Sequence, residues 1–366
     1  MIYKDFAGLK LSALGLGTMR FPVLDNDQAK IDEKKTREIF DLAIQSGINY
    51  FDTAWFYHGG MSEPVVGRIL SEYPRDSFYL ASKFPGNDPV NLDKVEEIFE
   101  KQLERCRVDY FDFYLFHNIS DVTIDGYLDP KYGIYEYLME QKRRGRIKHL
   151  GFSTHATTKA FLRFLDAYGE DMEFCQIQLN YLDWNYQAAK EKVAILNERN
   201  IPIWVMEPVR GGKLAALNAD YEARLLALRP DESPAAFAFR FLQGVPGVCV
   251  TLSGMSNLQQ LEENIKTFSE QKPLTDKERA VLLGIADDIV AENALPCTAC
   301  RYCEEKCPKA LPISAIFAEY NRERKLADAT LPAACIRCRQ CEKVCPQEIR
   351  ISSVMTYLSG RAGERT

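Results

Sequence analysis

The sequence predicts an α/β protein: a (β/α)8 TIM barrel with an N-terminal hairpin, followed by a small, mostly helical, two-cluster domain. Two observations carry this prediction. Short apolar segments alternate eight times with charged segments of helical spacing within the first 285 residues, which is the count of a closed barrel. Eight of the 11 cysteines fall between Cys297 and Cys345. We therefore expect a barrel domain over 1–285 and a metal-binding domain over 286–366.

The apolar segments suit strands of a parallel sheet, because such strands are covered on both faces. The segment that precedes the first of them, residues 3–12, is predicted to form a hairpin with Gly8 in its turn. The strands are predicted at 14–17, 49–52, 78–82, 110–116, 147–153, 174–178, 202–206 and 247–252.

The charged segments between these strands carry apolar residues at helical spacing, and two of them begin with residues that cap helices, Asp32 and Asn257. The helices are predicted at 33–46, 62–72, 92–106, 135–144, 157–168, 187–199, 234–242 and 257–268. A doubly wound sheet is the alternative, and it should carry a glycine-rich phosphate turn. The nearest candidate, residues 15–20, has Arg20 in place of the third glycine, so the barrel is favoured.

Composition excludes several classes of protein. The chain has 366 residues, of which 46% are hydrophobic and 27% are charged, as in globular proteins. Its net charge of −6 argues against a nucleic-acid partner. No apolar run is long enough to span a membrane, and the N-terminus lacks the features of a signal peptide. We expect a cytoplasmic protein with reduced cysteines.

Polar side chains stand at the ends of successive predicted strands, where barrel enzymes place their chemistry. Asp52, Lys83, His117 and Ser153 close strands two to five, and Tyr57 follows in the second loop. A lysine beside a tyrosine lowers the pKa of the phenol, a carboxylate holds the lysine in place, and a neutral imidazole orients a carbonyl oxygen. Alone, each residue is more often a helix cap or a surface group. Together they predict a general acid for carbonyl reduction.

The sequence around these residues resembles the aldo-keto reductase family over essentially all of residues 1–270. The matching segments are FDTAWFYHGGMSE (51–63), ASK (81–83), DFYLFHN (112–118), GFST (151–154), QIQLNYLD (176–183), MEPVRGGKL (206–214) and SGMSNLQQLEEN (253–264). The resemblance implies a (β/α)8 barrel that binds NADP or NAD at its mouth and transfers hydride to an aldehyde or ketone. It also implies a catalytic tetrad of Asp52, Tyr57 as the acid, Lys83 and His117.

The resemblance also implies a cofactor site at Thr18, Ser153, Gln176, Met206, Pro208, Gly254, Ser256, Gln260, Glu263 and Asn264. Ser153 and Gln176 stand where the family binds the nicotinamide amide, and Met206 replaces the aromatic residue that stacks on the ring. Members that select NADPH usually carry a cation at the positions held here by Gly254 and Gln260. The choice between NADPH and NADH is therefore left open.

The pattern C-x2-C-x2-C-x3-C-P occurs twice in the last seventy residues, which is the spacing of bacterial two-cluster ferredoxins. In such proteins the fourth cysteine of each run ligates the other cluster. Zinc is the alternative, but a zinc site uses four cysteines and would leave half of these unexplained. We predict two [4Fe-4S] clusters, one on Cys297, Cys300, Cys303 and Cys345, the other on Cys335, Cys338, Cys341 and Cys307.

Three functions fit these features. The first is a carbonyl reductase whose clusters are structural or redox-sensing. The second is a ferredoxin-linked electron-transfer oxidoreductase, whose clusters carry electrons between a partner and the barrel. The basic residues near the cysteines either balance the negative charge of the clusters or form a docking patch for an acidic redox protein; they are Arg301, Lys306, Arg337, Arg339 and Lys343. The third is a non-catalytic barrel that presents the ferredoxin module to a partner. For the first, a small-molecule carbonyl substrate is expected against Trp55, Phe56, Asn118, Tyr181 and Trp184, which suggest an apolar compound, with or without an aromatic ring. Ordinary packing at the barrel mouth is the equal alternative for each of these residues.

Overall fold

The computed structural model describes residues 1–291, 295–323, 326, 328, 330–347 and 349–360. Eight parallel strands close into a barrel, in which each strand pairs with the next along the chain and the last pairs with the first. The strands are the hairpin strands β1 (Tyr3–Phe6) and β2 (Leu9–Ser12), and the barrel strands β3 (Leu14–Gly17), β4 (Tyr50–Asp52), β5 (Tyr79–Phe84), β6 (Phe111–Ile119), β7 (Ile147–Thr154), β8 (Cys175–Gln178), β9 (Ile203–Met206) and β10 (Val248–Ser253).

The predicted fold class is confirmed, and all eight predicted barrel helices are present with ends shifted by three residues or fewer. Asp32 and Asn257 cap two of them, since each side chain accepts a hydrogen bond from a backbone N–H of the first turn. The barrel-domain helices are α1 (Glu33–Gln45), α2 (Ser62–Leu70), α3 (Val95–Cys106), α4 (Ile124–Leu128), α5 (Ile134–Arg143), α6 (Thr158–Tyr168), α7 (Asp183–Tyr186), α8 (Ala189–Glu198), α9 (Ala219–Leu226), α10 (Pro234–Gln243), α11 (Leu258–Phe268) and α12 (Asp276–Ala291).

Helices α4, α7, α9 and α12 were not expected from the sequence. The first three lie in loops that follow barrel strands, where their short lengths hide any periodicity. Helix α12 crosses the domain boundary predicted at 285/286, and its side chains Leu282 and Ile285 are buried in the core of the barrel. That boundary stays a prediction.

The N-terminal hairpin closes one end of the barrel. Antiparallel strands β1 and β2 turn at Gly8, which has a φ of +83°. Phe6 packs inside the barrel with its ring centroid 5.0 Å from that of Trp204 and 5.6 Å from that of Phe113. The hairpin thus covers the end of the barrel at which the strands begin.

The C-terminal module, residues 295–360, has a small core of its own in which cysteines and aliphatic side chains pack together. A helix between the two cysteine runs and another after the second run agree with the mostly helical domain predicted from the sequence. The helices are α13 (Tyr302–Glu305), α14 (Ile313–Glu323), α15 (Thr330–Ala333) and α16 (Ile351–Gly360). In the part of the chain that the structure describes, no helix is both long and apolar enough to cross a membrane.

Candidate active site

A cavity of about 570 Å3 opens at the carboxyl ends of the barrel strands. Its barrel side includes one residue from the end of each of six strands: Asp52, His117, Ser153, Gln176, Met206 and Ser253. The C-terminal module contributes six further residues to the wall: Cys300, Tyr302, Glu305, Lys306, Val344 and Pro346. The two predicted domains therefore meet at one cavity.

The four predicted catalytic residues converge at this cavity. Asp52, Tyr57 and His117 line it, whereas Lys83 lies just behind, fully buried. The Lys83 ammonium donates to an Asp52 carboxylate oxygen at 2.5 Å and to the backbone oxygen of Thr53 at 2.8 Å. It lies 5.1 Å from the centroid of the Tyr57 ring, and the Tyr57 and His117 rings meet edge to face.

A buried polar network holds the strand that carries Lys83. Gln102 of α3 donates to the backbone oxygen of Lys83, to Ser82 and to the fully buried Glu63. Its side-chain oxygen accepts a hydrogen bond from Tyr114 of the next strand. Each member is bonded to another, so the network fixes the end of β5 at a small cost in unsatisfied groups.

Burial controls the ionisation of the four residues. It raises the pKa of Asp52 and lowers that of Lys83, while the attraction between the two opposes both shifts. It lowers the pKa of His117 well below its usual value, with Lys83 adding to the effect, so the imidazole is neutral at pH 7. The neutral imidazole agrees with the expectation from the sequence.

The expected lowering of the phenol pKa by a nearby lysine is wrong for this structure. Burial raises the pKa of Tyr57 well above 10, and the carboxylates of Asp52 and Glu207 raise it further. The positive charge of Lys83 is offset by Asp52, which is 2.5 Å away from it. Tyr57 is therefore protonated over the whole neutral range.

Nine of the ten positions predicted for the cofactor line the cavity: Ser153, Gln176, Met206, Pro208, Gly254, Ser256, Gln260, Glu263 and Asn264. Thr18 does not line it. Its hydroxyl lies 2.7 Å from the Ser62 hydroxyl in a fully buried contact, and its neighbours Gly17 and Met19 face the cavity instead. The prediction placed the site one residue off, because Thr18 begins a 3-10 turn after β3.

The amide of Gln176 has spare hydrogen-bonding capacity at the cavity wall. Its nitrogen contacts the Met206 sulfur at 3.7 Å, and its oxygen is buried without a hydrogen-bond partner in the described structure. The Ser153 hydroxyl, on the next strand, accepts a hydrogen bond from the backbone N–H of Asn118. A ligand amide between these side chains would supply the missing donor.

Three further residues of the cavity wall were not identified as site residues from the sequence. Arg20 lies along Gly254, and its guanidinium donates to the Thr298 backbone oxygen at 3.0 Å. His155 also lines the cavity, and burial lowers its pKa to about 3. Tyr302 enters from the module, and burial and the nearby Tyr57 raise its pKa. Arg20 follows a strand end, so the rule that found Asp52 would also have found it.

Glu207 follows Met206 in the cavity wall, and it adopts a left-handed backbone conformation with φ +57°. This conformation is costly for a residue with a side chain, and here the Glu207 backbone oxygen is held by the Asn180 amide at 2.9 Å. Burial raises the pKa of its carboxyl, while Arg20 and Arg210 lower it.

The residues expected to make an apolar, aromatic substrate pocket are mostly elsewhere. Phe56 and Asn118 line the cavity. Trp55 lies under the Arg105 guanidinium, 3.8 Å away, and Tyr181 and Trp184 pack in the core of the barrel. That expectation is wrong for three of the five residues, because strand-end position alone does not fix which way a loop side chain turns.

The eight clustered cysteines divide into two sets, each around its own small cavity. One cavity, which we call the proximal cavity, is lined by Cys297, Cys300, Cys303 and Cys345. The other, the distal cavity, is lined by Cys307, Cys335, Cys338 and Cys341. Each set takes three cysteines from one run and the last cysteine of the other, so the donors present fit a thiolate-ligated cluster in each cavity.

Hydrogen bonds tie the proximal cavity to the barrel. Gln347, next to the cavity, exchanges hydrogen bonds with Gln178 at the end of β8 and accepts from Gln187. Gly211 has φ +66°, and a Cβ there would lie 2.1 Å from the Thr298 backbone oxygen. The close approach of the module thus requires glycine at this position.

Comparison with known proteins agrees with this architecture. Residues 13–285 match the model of the aldo/keto reductase family, and residues 296–349 match that of the 4Fe-4S dicluster domain. An uncharacterized oxidoreductase of Bacillus subtilis, YqkF, is 26% identical over 304 residues, which cover 74% of this chain and 91% of that protein. The L-galactose dehydrogenase of Arabidopsis thaliana is 24% identical, over 73% of this chain and 87% of its own.

Solved structures show the same barrel. The holo form of aldo-keto reductase AKR11C1 from Bacillus halodurans superimposes with a TM-score of 0.63 at 25% identity, over 78% of this chain and 96% of that one. An aldo/keto reductase from Klebsiella pneumoniae, solved with NADP and acetate, gives a TM-score of 0.61 at 20% identity, over 76% of this chain and 92% of that one. The chain belongs to the aldo/keto reductase family and adds a 4Fe-4S ferredoxin-type domain at its C-terminal end.

Proposed function

We propose that the protein reduces an aldehyde or ketone to an alcohol with hydride from NADPH or NADH. The observation that carries this proposal is the arrangement of Tyr57 and His117 at the cavity, with the Asp52–Lys83 pair 2.5 Å apart behind them. A protonated phenol and a neutral imidazole at one end of a cavity are the groups that a carbonyl oxygen needs during reduction.

The cavity also fits the nicotinamide cofactor. The unpartnered Gln176 oxygen and the Ser153 hydroxyl would bind the nicotinamide amide, and Arg20 would bind the cofactor diphosphate. The Klebsiella relative, solved with NADP, supports this assignment. The bound cofactor supplies a hydride, that is, two electrons and a proton equivalent in one step.

The chain's own residues supply the proton. Tyr57 and His117 hold the carbonyl oxygen of the substrate by hydrogen bonds. As the carbonyl carbon gains hydride, Tyr57 donates its proton to the carbonyl oxygen. That oxygen becomes the hydroxyl group of the alcohol product. The Lys83 ammonium lies 5.1 Å from the Tyr57 ring centroid, beside the phenolate that remains, and Asp52 holds Lys83 in that position. Solvent then returns a proton to Tyr57.

The proposal is tested with anaerobically purified protein and a panel of aldehydes and ketones. Consumption of NADPH or NADH that depends on the carbonyl compound, with one alcohol formed for each nicotinamide oxidised, is the expected result. A protein with its full iron content that binds the cofactor but turns over no carbonyl compound would contradict the proposal.

For the C-terminal module we propose two [4Fe-4S] clusters, one held by the four cysteines of each cavity. Such clusters supply one-electron chemistry, and their thiolate ligands carry negative charge that nearby arginines balance. We expect about eight irons per chain and the broad absorbance of cubane clusters. Zinc in place of iron after iron-replete, anaerobic expression would overturn this assignment.

A second candidate function is a ferredoxin-linked oxidoreductase, in which the module exchanges single electrons with the barrel. The observation that favours it is the position of Cys300, which lines the same cavity as Met206 and Gln176. A stopped-flow experiment separates the two candidates. In the second, NADPH or NADH alone bleaches the cluster absorbance before any substrate is added, whereas in the first the absorbance stays constant through turnover.

A further inference from the structure

The C-terminal module contributes part of the wall of the cavity that Tyr57 lines, beside the barrel loops. Tyr302, the first residue of α13, lines the cavity together with Tyr57, His117 and Phe56. We propose that the module forms one wall of the substrate pocket and that Tyr302 contacts the substrate and limits its size. This inference rests on the proposed carbonyl reduction.

Tyr302 is oriented into the cavity by its backbone. The residue before it, Arg301, has φ +66°, which turns the chain sharply out of the cysteine loop. Among the described residues, the hydrogen-bond partner of the Tyr302 hydroxyl is the sulfur of Met19, 3.8 Å away. A thioether is a weak acceptor, so the hydroxyl keeps the capacity to bond a ligand.

The wall is held in place on both sides of Tyr302. On one side, the Lys306 ammonium pairs with Asp88 of the barrel at 2.9 Å. On the other, Arg20 of the barrel donates to the Thr298 backbone oxygen at 3.0 Å. The chain is therefore held to the barrel four residues before Tyr302 and four residues after it. These two contacts fix the position of the Tyr302 side chain at the cavity.

The position of Tyr302 predicts which carbonyl compounds depend on it. We expect a compound as small as acetone to bind at Tyr57 and His117 without depending on the module. A compound with a ring beyond the carbonyl group is expected to extend along Phe56 and Met19 and to pack against Tyr302, since all of these residues line the cavity. The pocket is thus predicted to recognise ring-bearing carbonyl compounds through a surface that belongs to the iron–sulfur module.

The test compares Tyr302→Ala with the wild type on two probes, acetone and para-nitrobenzaldehyde, with iron content and the EPR spectrum of the reduced clusters measured in parallel. For para-nitrobenzaldehyde we expect KM to rise about tenfold while kcat changes little, which is the scale of a lost apolar contact in a pocket. For acetone, both constants should stay at the wild-type value. The matched control is Tyr357→Ala, a partly exposed tyrosine of the module outside the cavity.

Lys306→Gln is the second variant, because it breaks the pair with Asp88 without removing a side chain from the module core. It should raise the KM for para-nitrobenzaldehyde alone, and this result keeps the test valid if Tyr302→Ala loses iron. Wild-type KM values for both probes in iron-replete variants would overturn the proposal. An equal loss for both probes would also overturn it, since it would indicate a structural role.

The failure of the proposed reaction is recognised separately. If the wild type turns over neither probe, calorimetric titration of para-nitrobenzaldehyde into the NADP-loaded protein replaces the kinetics. Weaker binding to Tyr302→Ala than to the wild type would then support the contact between Tyr302 and the ligand, even though the proposed reaction had failed. Equal binding, or none to either protein, overturns it.

Discussion

The two sides of the cavity are built in different ways. On the barrel side, Asp52, Lys83 and His117 come from the ends of three adjacent strands, and backbone pairing within the sheet sets their spacing. On the module side, Tyr302 and Lys306 reach the cavity because a separately folded cysteine-rich unit is docked on the barrel. The barrel side holds the groups that move a proton, whereas the module side offers shape and a single phenol.

This difference separates chemistry from selectivity. A change on the barrel side should lower the rate for every substrate, because it removes a group that the reaction itself uses. A change on the module side should alter which substrates bind.

Tyr57→Phe should have the largest effect. Removing the proton donor should lower kcat by about 10²–10⁴-fold, the range of general acid catalysis. The Kd of NADPH should stay unchanged, because the Tyr57 hydroxyl is not among the groups assigned to the cofactor. Steady-state kinetics and a fluorescence titration measure the two quantities.

Tyr302→Phe is the matched control, since it removes a phenolic hydroxyl from the module side of the same cavity. Its kcat for acetone should equal that of the wild type. Substantial turnover by Tyr57→Phe, or an equal loss in both variants, would break the division between the two sides.

Acid should destabilise the barrel through His117 and His155, two histidines that line the cavity. Burial lowers the pKa of His117 and brings that of His155 to about 3, so both stay neutral in the folded protein at a pH where the unfolded chain binds protons. The contribution of these histidines to the free energy of unfolding is therefore fully present above about pH 6.5. Below that pH it falls by about 1.4 kcal/mol per pH unit for each histidine. Denaturant unfolding at pH 7 and pH 5.5 measures this slope.

His155→Gln serves as the control, because it removes one of the two titrating groups and leaves the clusters in place. It should lose about half of the slope. An unchanged slope in this variant would show that the loss of stability in acid comes from other groups, such as the cysteine-rich module.

The strand ends explain how far the sequence could predict the site. Asp52 and His117 follow apolar segments whose length and order identify barrel strands, so their positions follow from the fold class. Tyr302 and Thr298 follow no such rule, because nothing in the cysteine spacing says where the module docks. The position of Thr18 was predicted wrongly for a more local reason. In the 3-10 turn after β3, its neighbours Gly17 and Met19 face the cavity and Thr18 points away from it.

Exchange of the last cysteine in each run should distinguish the two cavities. Cys345→Ala and Cys307→Ala should each reduce iron from about eight to about four per chain. Because Cys345 belongs to the proximal cavity, its loss should also displace Tyr302 and raise the KM for para-nitrobenzaldehyde about tenfold. Cys307→Ala should leave that KM unchanged. The opposite assignment of the KM effect would show that ligation follows the two sequence runs.

Arg20 joins the two sides, since it passes Gly254 of the barrel and donates to Thr298 of the module. Arg20→Ala should raise the Kd values of NADH and NADPH by the same factor, about tenfold. Both cofactors carry the diphosphate, so both lose one charge-assisted hydrogen bond. Arg20→Lys should recover part of the lost cofactor affinity. The control is Arg163→Ala, at an exposed arginine of α6, which should leave both Kd values unchanged. Unchanged Kd values in Arg20→Ala would remove Arg20 from the cofactor site.

Coenzyme choice should show the smallest effect, with NADPH preferred to NADH by less than about tenfold or not at all, because among the described residues no charge-assisted contact to the extra phosphate is evident. Gly254 and Gln260 offer no cation there. The Gln260 side-chain oxygen accepts the Ser256 backbone N–H at 2.8 Å, which occupies a donor that a phosphate could otherwise use. Gln260→Arg should shift the preference toward NADPH, and Gln259→Arg, one position along α11, is the control. Paired titrations that give the wild type a thousandfold preference for NADPH would mean that Arg20, or a group of the module, reads the phosphate.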